Sequence, residues 1–290
     1  MSPTSSLREL LRVDPETVEL AAIDPRGTPG LPEGAEVRRD PKGWTRAALD
    51  NLGAALADLQ TRLYAQAKAA GGTRRVVLVL QAMDCGGKDG TIKAVARTMN
   101  PLGMRIVAFG PPTREELSHH FLWRIRQALP PAGYLGIFNR SHYEDVLIVR
   151  VHDLVPPRTW HGRYDQINRF ERELVDDGLT LVKVMLHISY REQGARLAAR
   201  LDDPTKYWKY NPADLDERGR WPEYHAAYTD VLRTCSPDHA PWYVVPADRK
   251  WYRNWAVANL LLEAMSGLEL EYPPPTFDPE AERERLRHGA

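Results

Sequence analysis

Between Ala82 and Gly90 the chain reads AMDCGGKDG, and these are residue types that hold a phosphate. Gly86 and Gly87 let backbone N–H groups approach an anion. Lys88 adds a point charge where a helix N-terminus already favours negative charge. The apolar run Val76 to Leu80 precedes the loop, and a helical pattern over Lys88–Met99 follows it. The spacing approximates the phosphate-loop pattern G-x-x-x-x-G-K-[ST] with two departures. Ala82 stands where the first glycine belongs, and Asp89 replaces the hydroxyl residue that would hold magnesium. An ordinary strand-to-helix turn with a surface lysine would use similar residues. The strand–loop–helix order, with Asp84 inside the loop, favours the phosphate cradle. Cys85 is read as the small side chain such a loop needs, with a thiol nucleophile as the alternative.

Two further segments carry chemistry. Tyr134 to Leu147, YLGIFNRSHYEDVL, is a short apolar strand ending in Asn139-Arg140 and followed by Glu144 and Asp145. In phosphoryl transfer an acidic residue near such a strand end can hold Mg2+, and an arginine can stabilise the moving phosphoryl group. The two acids could equally be residues of a helix N-terminus favoured by its dipole. Ser189 to Arg233 carries Arg191, Arg196, Arg200, Lys206, Lys209, Arg218 and Arg220, with Arg196 and Arg200 four apart on one helix face. Such an arm suits a lid over an anionic substrate, although the interleaved Asp202, Asp203, Asp214, Asp216 and Glu217 also describe a solvated charged helix. The histidines form no HExxH or comparable metal pattern.

The elements that must position these residues alternate from Arg74 onward. Strands are expected at Val76–Gln81, Met104–Phe109, Tyr134–Phe138, Leu181–His187 and Trp242–Val245. Helical patterns lie at Lys88–Met99, Arg114–Leu129, Tyr164–Asp176, Arg191–Leu201, Trp221–Leu232 and Trp251–Met265. Short apolar strands alternating with helices imply a parallel sheet covered on both faces, with ligands beyond the carboxyl ends of its strands. Before them, Leu49, Leu52, Leu56, Leu59 and Leu63 trace one face of an amphipathic helix within Asp40–Ala70. The Pro- and Gly-rich first forty residues read as an irregular arm, and the tail from Tyr272 as a short, loosely held extension.

The formal net charge of zero argues against a general nucleic-acid or membrane-surface binder. Two cysteines far apart give neither a disulfide framework nor metal-ligand spacing. No signal peptide or bilayer-spanning run is read, so a cytoplasmic setting is the default.

Taken together, QAMDCGGKDGTIK (Gln81–Lys93), FNRSHYEDVL (Phe138–Leu147), RLDDPTKYWKYNPADLDERGRW (Arg200–Trp221) and APWYVVPADRKWYRN (Ala240–Asn254) resemble the polyphosphate kinase 2 family. The resemblance runs from about Asp40 to Met265, and the family's loop reads Asp-x-x-Gly-Lys, as here. Asn139 stands where other subgroups usually have aspartate, and FNRSHYEDVL looks like the subgroup that accepts both AMP and ADP. The resemblance implies a three-layer α/β/α P-loop kinase fold with a parallel sheet, a helical lid and an N-terminal helical extension. Its implied bounds are an arm and helix over 1–70, a kinase domain over 71–270 with a lid near 189–233, and a tail over 271–290. It implies phosphoryl transfer from inorganic polyphosphate to AMP or ADP, dependent on Mg2+ or Mn2+. Asp84 and Asp145 would hold the metal, and Lys88 and Arg140 would stabilise the transferring group. Gly86, Gly87, Asp89 and Gly90 would shape the phosphate loop, Arg196 and Arg200 would be lid contacts to phosphates, and Asn139 and Glu144 would meet the nucleotide. A homo-oligomer is expected. The competing readings are an ATP-dependent nucleotide or metabolite kinase on the same fold, and a non-catalytic polyphosphate- or nucleotide-binding regulator.

Overall fold

The computed structural model describes residues 6–289. Five strands, β1 (Arg75–Ala82), β2 (Met104–Ala108), β3 (Leu135–Asn139), β4 (Leu179–His187) and β5 (Trp242–Pro246), form one wholly parallel sheet. Their order is β2-β3-β1-β4-β5. β1 lies at the centre, and Val76 to Leu80 are completely buried. A strand covered on both faces is built from such an unbroken apolar run rather than from alternation.

In chain order the helices are α1 (Leu7–Leu11), α2 (Ala35–Arg39), α3 (Pro41–Ala70), α4 (Lys88–Ala96), α5 (Arg114–Ser118) and α6 (Trp123–Ala128). They continue with α7 (Ile148–Val151), α8 (Pro157–Asp176), α9 (Tyr190–Leu201), α10 (Ala213–Gly219), α11 (Trp221–Thr234), α12 (Lys250–Ser266) and α13 (Pro279–Arg287). One face of the sheet packs on α6, α8 and α11 through Ile125, Ile167, Phe170, Tyr228 and Val231. The other packs on α3, α4 and α12 through Leu56, Leu63, Val95, Val257 and Leu261. Two helical layers around a parallel sheet give the three-layer α/β/α P-loop kinase arrangement. Helix α3 starts at an Asp40 cap with Pro41 in its first turn, and it stops at Gly71 in the left-handed region.

Three segments differ from the sequence expectation. The helix expected over Arg114–Leu129 is two short helices, because His119 is extended and breaks the path. Helix α5 buries nothing, so no core contact forces the pattern to continue. The arm is ordered: a Ser6–Glu9 capping box starts α1, Leu7 and Leu11 are buried, and the N–H of Val13 donates to the carbonyl of Trp242 (2.9 Å). Arg12 and Tyr243 form an isolated antiparallel bridge, so the arm covers the outer edge of β5. The tail contains α13, whose Arg–Glu pairs three apart hold it without any buried residue. Among the described residues, no helix is long and apolar enough to cross a membrane.

Candidate active site

The loop after β1 curls because its backbone takes conformations that few residues accept. Cys85 (φ 62°) and Gly87 (φ 101°) are left-handed, and the Gly86 N–H donates to the Met83 carbonyl (3.0 Å). A Cβ on Gly86 would lie 2.5 Å from the Ala82 methyl, and one on Gly87 would lie 1.8 Å from a guanidinium nitrogen of Arg253. Close approach therefore requires both glycines, and at Gly87 the torsion requires one as well. At the end of β3, Arg140 is also left-handed (φ 65°), and its N–H donates to the Leu80 carbonyl (3.0 Å). That bond ties the two strand ends together and aims Arg140 at the loop, where it meets Asp84 (3.3 Å). Asn139 donates to Asp89 (2.9 Å), on the same side.

Lys88 is half-buried, and its ammonium donates to the Ala82 carbonyl (3.2 Å). Burial pushes its pKa down, and Arg140 adds to this, while Asp84, Glu144 and Asp89 oppose it. Arg253 lies beneath the loop, 3% exposed, and touches the Gly86 carbonyl (3.4 Å). Among the described residues it has no carboxylate within salt-bridge reach, and burial, with Arg196 second, pushes it down to about 9. A buried cation without a counter-ion is costly, and an anion on the loop would offset that cost. The thiol of Cys85 is pushed up by burial, Arg200 being the largest opposing influence. That favours the steric role over a thiolate nucleophile.

These groups open into two cavities that share Asp84 and Arg140 as a wall. The larger, about 460 Å3, is lined by Lys88, Arg140, Arg196, Arg200, Lys206, Lys209, Lys250 and Arg253, against Asp84 and Asp89. Among the described residues, no aromatic side chain lines it. The smaller, about 200 Å3, has the opposite character: Asp84, Glu144, Asp214 and Glu217, with Tyr224, Tyr228, Leu147 and Ile148. There Gln81 donates to Glu144 (3.1 Å), Tyr224 donates to Glu217 (2.6 Å), and burial raises the pKa of both Tyr224 and Tyr228. Gln193 of α9 donates to the Asp84 carbonyl (3.1 Å), so α9 rests directly on the loop.

Two of the sequence-read roles are corrected. Arg196 is not a free phosphate contact. All five of its N–H donors are engaged, with Glu192 (2.9 Å) and with the carbonyls of Cys85 (2.9 Å), Gly86 (3.3 Å), Ala247 (2.7 Å) and Asp248 (3.0 Å). It braces the loop after β1 to the loop after β5. Asp145 faces away from both cavities: Arg163 donates to its carbonyl oxygen (2.9 Å) and its carboxylate (3.2 Å), and Arg124 stands 3.8 Å away. The acid that faces a cavity is its neighbour Glu144. Arg200 remains in the wall of the larger cavity, with one nitrogen on the Lys209 carbonyl (2.8 Å) and Asp214 (3.1 Å).

Sequence reasoning missed Arg253 and Lys250. Both follow β5, so the rule that sites form at the carboxyl ends of parallel strands could have found them. It also missed the fully buried pair Lys183–Glu171 (2.6 Å), which with Tyr143 and His142 anchors the turn between Arg140 and Glu144. Among the described residues, no group of three or more His, Cys, Asp or Glu side chains is placed to hold a metal. Asp84 and Glu144 present hard oxygen donors to one cavity, and that set suits Mg2+ shared with substrate phosphates rather than a protein cage.

A P-loop with a cation-lined cavity and a separate acidic one, at the carboxyl end of a parallel sheet, defines a phosphotransferase of the P-loop kinase class. The family model for polyphosphate kinase 2 matches residues 45–273. The chain belongs to the polyphosphate kinase 2 family. It is 47% identical over 265 residues to an AMP/ADP-polyphosphate phosphotransferase of Meiothermus ruber, covering 91% of this chain and 95% of that one. It is 43% identical over 233 residues to an ADP-polyphosphate phosphotransferase of Rhodopseudomonas palustris, covering 76% and 79%. The crystal structure of polyphosphate kinase 2 from Arthrobacter aurescens TC1 superposes with a TM-score of 0.93 at 45% identity, covering 100% of this chain and 99% of that one.

Proposed function

We propose that this protein transfers a phosphoryl group from inorganic polyphosphate to AMP and to ADP, giving ADP and ATP, in a Mg2+-dependent reaction. The observation that carries the reading is the contrast between the two cavities. The larger offers eight cations and no aromatic surface, which suits a donor that is anionic along its length and has no base. The smaller offers tyrosines, apolar side chains and carboxylates, which suits a nucleoside and its metal-bound phosphates. An ATP-dependent kinase would need the base surface on the Lys88 side.

In this reading the terminal phosphoryl group of the donor sits on the N–H groups of the Cys85–Lys88 loop, held by Lys88 and Arg140. The acceptor phosphate approaches from the Glu144 side, in line with the bond that breaks. Little covalent work is asked of the protein: it aligns the two oxygens and stabilises the charge that spreads over the moving group. Lys88 and Arg140 supply that charge at the wall between the cavities, and Arg253 supports it from beneath. Asp84 orients Arg140 and, with Glu144, would hold Mg2+, which when bound neutralises charge on the phosphate oxygens.

The test is an endpoint assay with Mg2+, polyphosphate and either AMP or ADP, reading ADP and ATP separately. Formation of both products is expected. A protein that phosphorylates AMP with ATP but makes no ATP from polyphosphate and ADP would overturn the reading. A reaction that stops at ADP would remove only the ADP-acceptor part.

A further inference from the structure

A third cavity, about 390 Å3, opens beside the cation-lined one, and Gly90 and Lys250 line both. Its walls come from the first turns of α3, from α4 with Arg97 at its end, and from the first turn of α12. They carry Lys42, Arg46, Lys93, Arg97 and Lys250, and among the described residues no acidic side chain is in the lining. Arg97 is paired with Asp50. Lys42, Arg46, Lys93 and Lys250 are exposed, and among the described residues none has a carboxylate within salt-bridge distance. In a chain whose formal net charge is zero, this is a concentrated positive surface continuous with a cavity already rich in cations. Leu49 and Trp251 form part of the floor, against which the aliphatic stems of the lysines and arginines can lie.

We infer that this outer groove holds the distal part of the polyphosphate chain, so that donors too long for the inner cavity bind more tightly than short ones. The inference rests on the donor assignment made above. A linear polyanion gains from each further cation along its path by releasing the counter-ions it carried there. Continuity at Gly90 and Lys250 gives the chain a way out of the inner cavity, past Asp89, into a groove lined by cations. The groove is therefore a length-sensing subsite that takes no part in the chemical step.

The test compares the wild type with a Lys42→Ala/Arg46→Ala/Lys93→Ala triple variant, using long-chain polyphosphate, tripolyphosphate and ADP. All three residues are exposed, and thermal unfolding of the variant checks that the fold is kept. The KM for long-chain polyphosphate should rise about tenfold, since three exposed ion contacts are individually weak but act together on one ligand. Its salt dependence should shrink as well. The inhibition constant of tripolyphosphate, the KM for ADP and kcat should not move. An Arg46→Glu/Lys93→Glu variant should enlarge the long-chain effect alone. An unchanged long-chain KM, or an equal rise for tripolyphosphate, would overturn the inference, as would an effect confined to ADP. A wild type unable to use polyphosphate at all would instead overturn the donor assignment.

Discussion

Replacing Arg196 by alanine should act on the loop rather than on one substrate. The side chain is 9% exposed, and its five donors reach four backbone carbonyls on two loops as well as Glu192. A hydrogen bond from a charged group contributes about 1.5–3 kcal/mol, but the losses are not additive, and some carbonyls would regain water. A net loss of about 3 kcal/mol follows from those two considerations. With an unfolding entropy of ~2.1 cal/mol/K per residue over 290 residues, this lowers Tm by about 5 °C. Cys85 would no longer be held in its left-handed conformation by the brace, so the cradle around Lys88 should loosen. The expected kinetic result is a fall in kcat of tenfold or more with both acceptors, without a selective rise in the KM for polyphosphate. Arg196→Lys should not rescue it, because one ammonium cannot span both loops. Thermal unfolding and steady-state kinetics with each substrate varied measure both parts. An Arg196→Ala variant with the wild-type Tm and a raised KM for polyphosphate alone would refute the brace and restore a phosphate contact.

Glu144→Gln should lower turnover by at least a hundredfold, whereas Asp145→Asn should chiefly cost stability, about 1–3 kcal/mol from the ion pair with Arg163. The reverse ranking in kcat would return the metal-holding role to Asp145. Gly87→Ala should both destabilise and inactivate, because its Cβ would overlap the Arg253 guanidinium, and a soluble, active variant would contradict the packing. Cys85→Ala should keep most activity and Cys85→Gly should gain about 1 kcal/mol of stability by relieving the positive φ, as denaturant unfolding would show. His187 is buried with its Nε2 on the Ile23 carbonyl (3.0 Å), and its pKa is pushed down to about 4 by burial, then by His225. The unfolded chain binds that proton first, so stability is full above about pH 6.5 and declines towards pH 4. The total loss is about 3 kcal/mol, and the decline should flatten in His187→Gln.

The sheet was legible because each strand is a short apolar run and each covering helix carries its own period. All five expected strands appear in one parallel sheet. The positions of Lys88, Arg140, Asp84 and Glu144 could be read because each follows a strand end, where such sheets place their ligands. What sequence could not give is direction. Glu144 and Asp145 are adjacent acids, and only the short turn after β3 decides that one faces the cavity and the other faces Arg163. Arg196 looked like a lid cation because spacing shows which helix face it shares, not which carbonyls come within its reach. The arm differs for a related reason: its composition is that of a loop, but Leu7 and Leu11 pack towards α12 and β5, and Leu20 towards α11, all about two hundred or more positions away.

The central claim, that donor and acceptor meet at the Asp84–Arg140 wall from two different cavities, is tested most directly by a crystal structure of the Lys88→Ala protein with polyphosphate and ADP. Polyphosphate is expected along Arg140, Arg200 and Lys209, with the adenine against Tyr224 and Tyr228 and its phosphates near Glu144. ADP with its phosphates on the Cys85–Lys88 loop, and polyphosphate elsewhere or absent, would contradict the account.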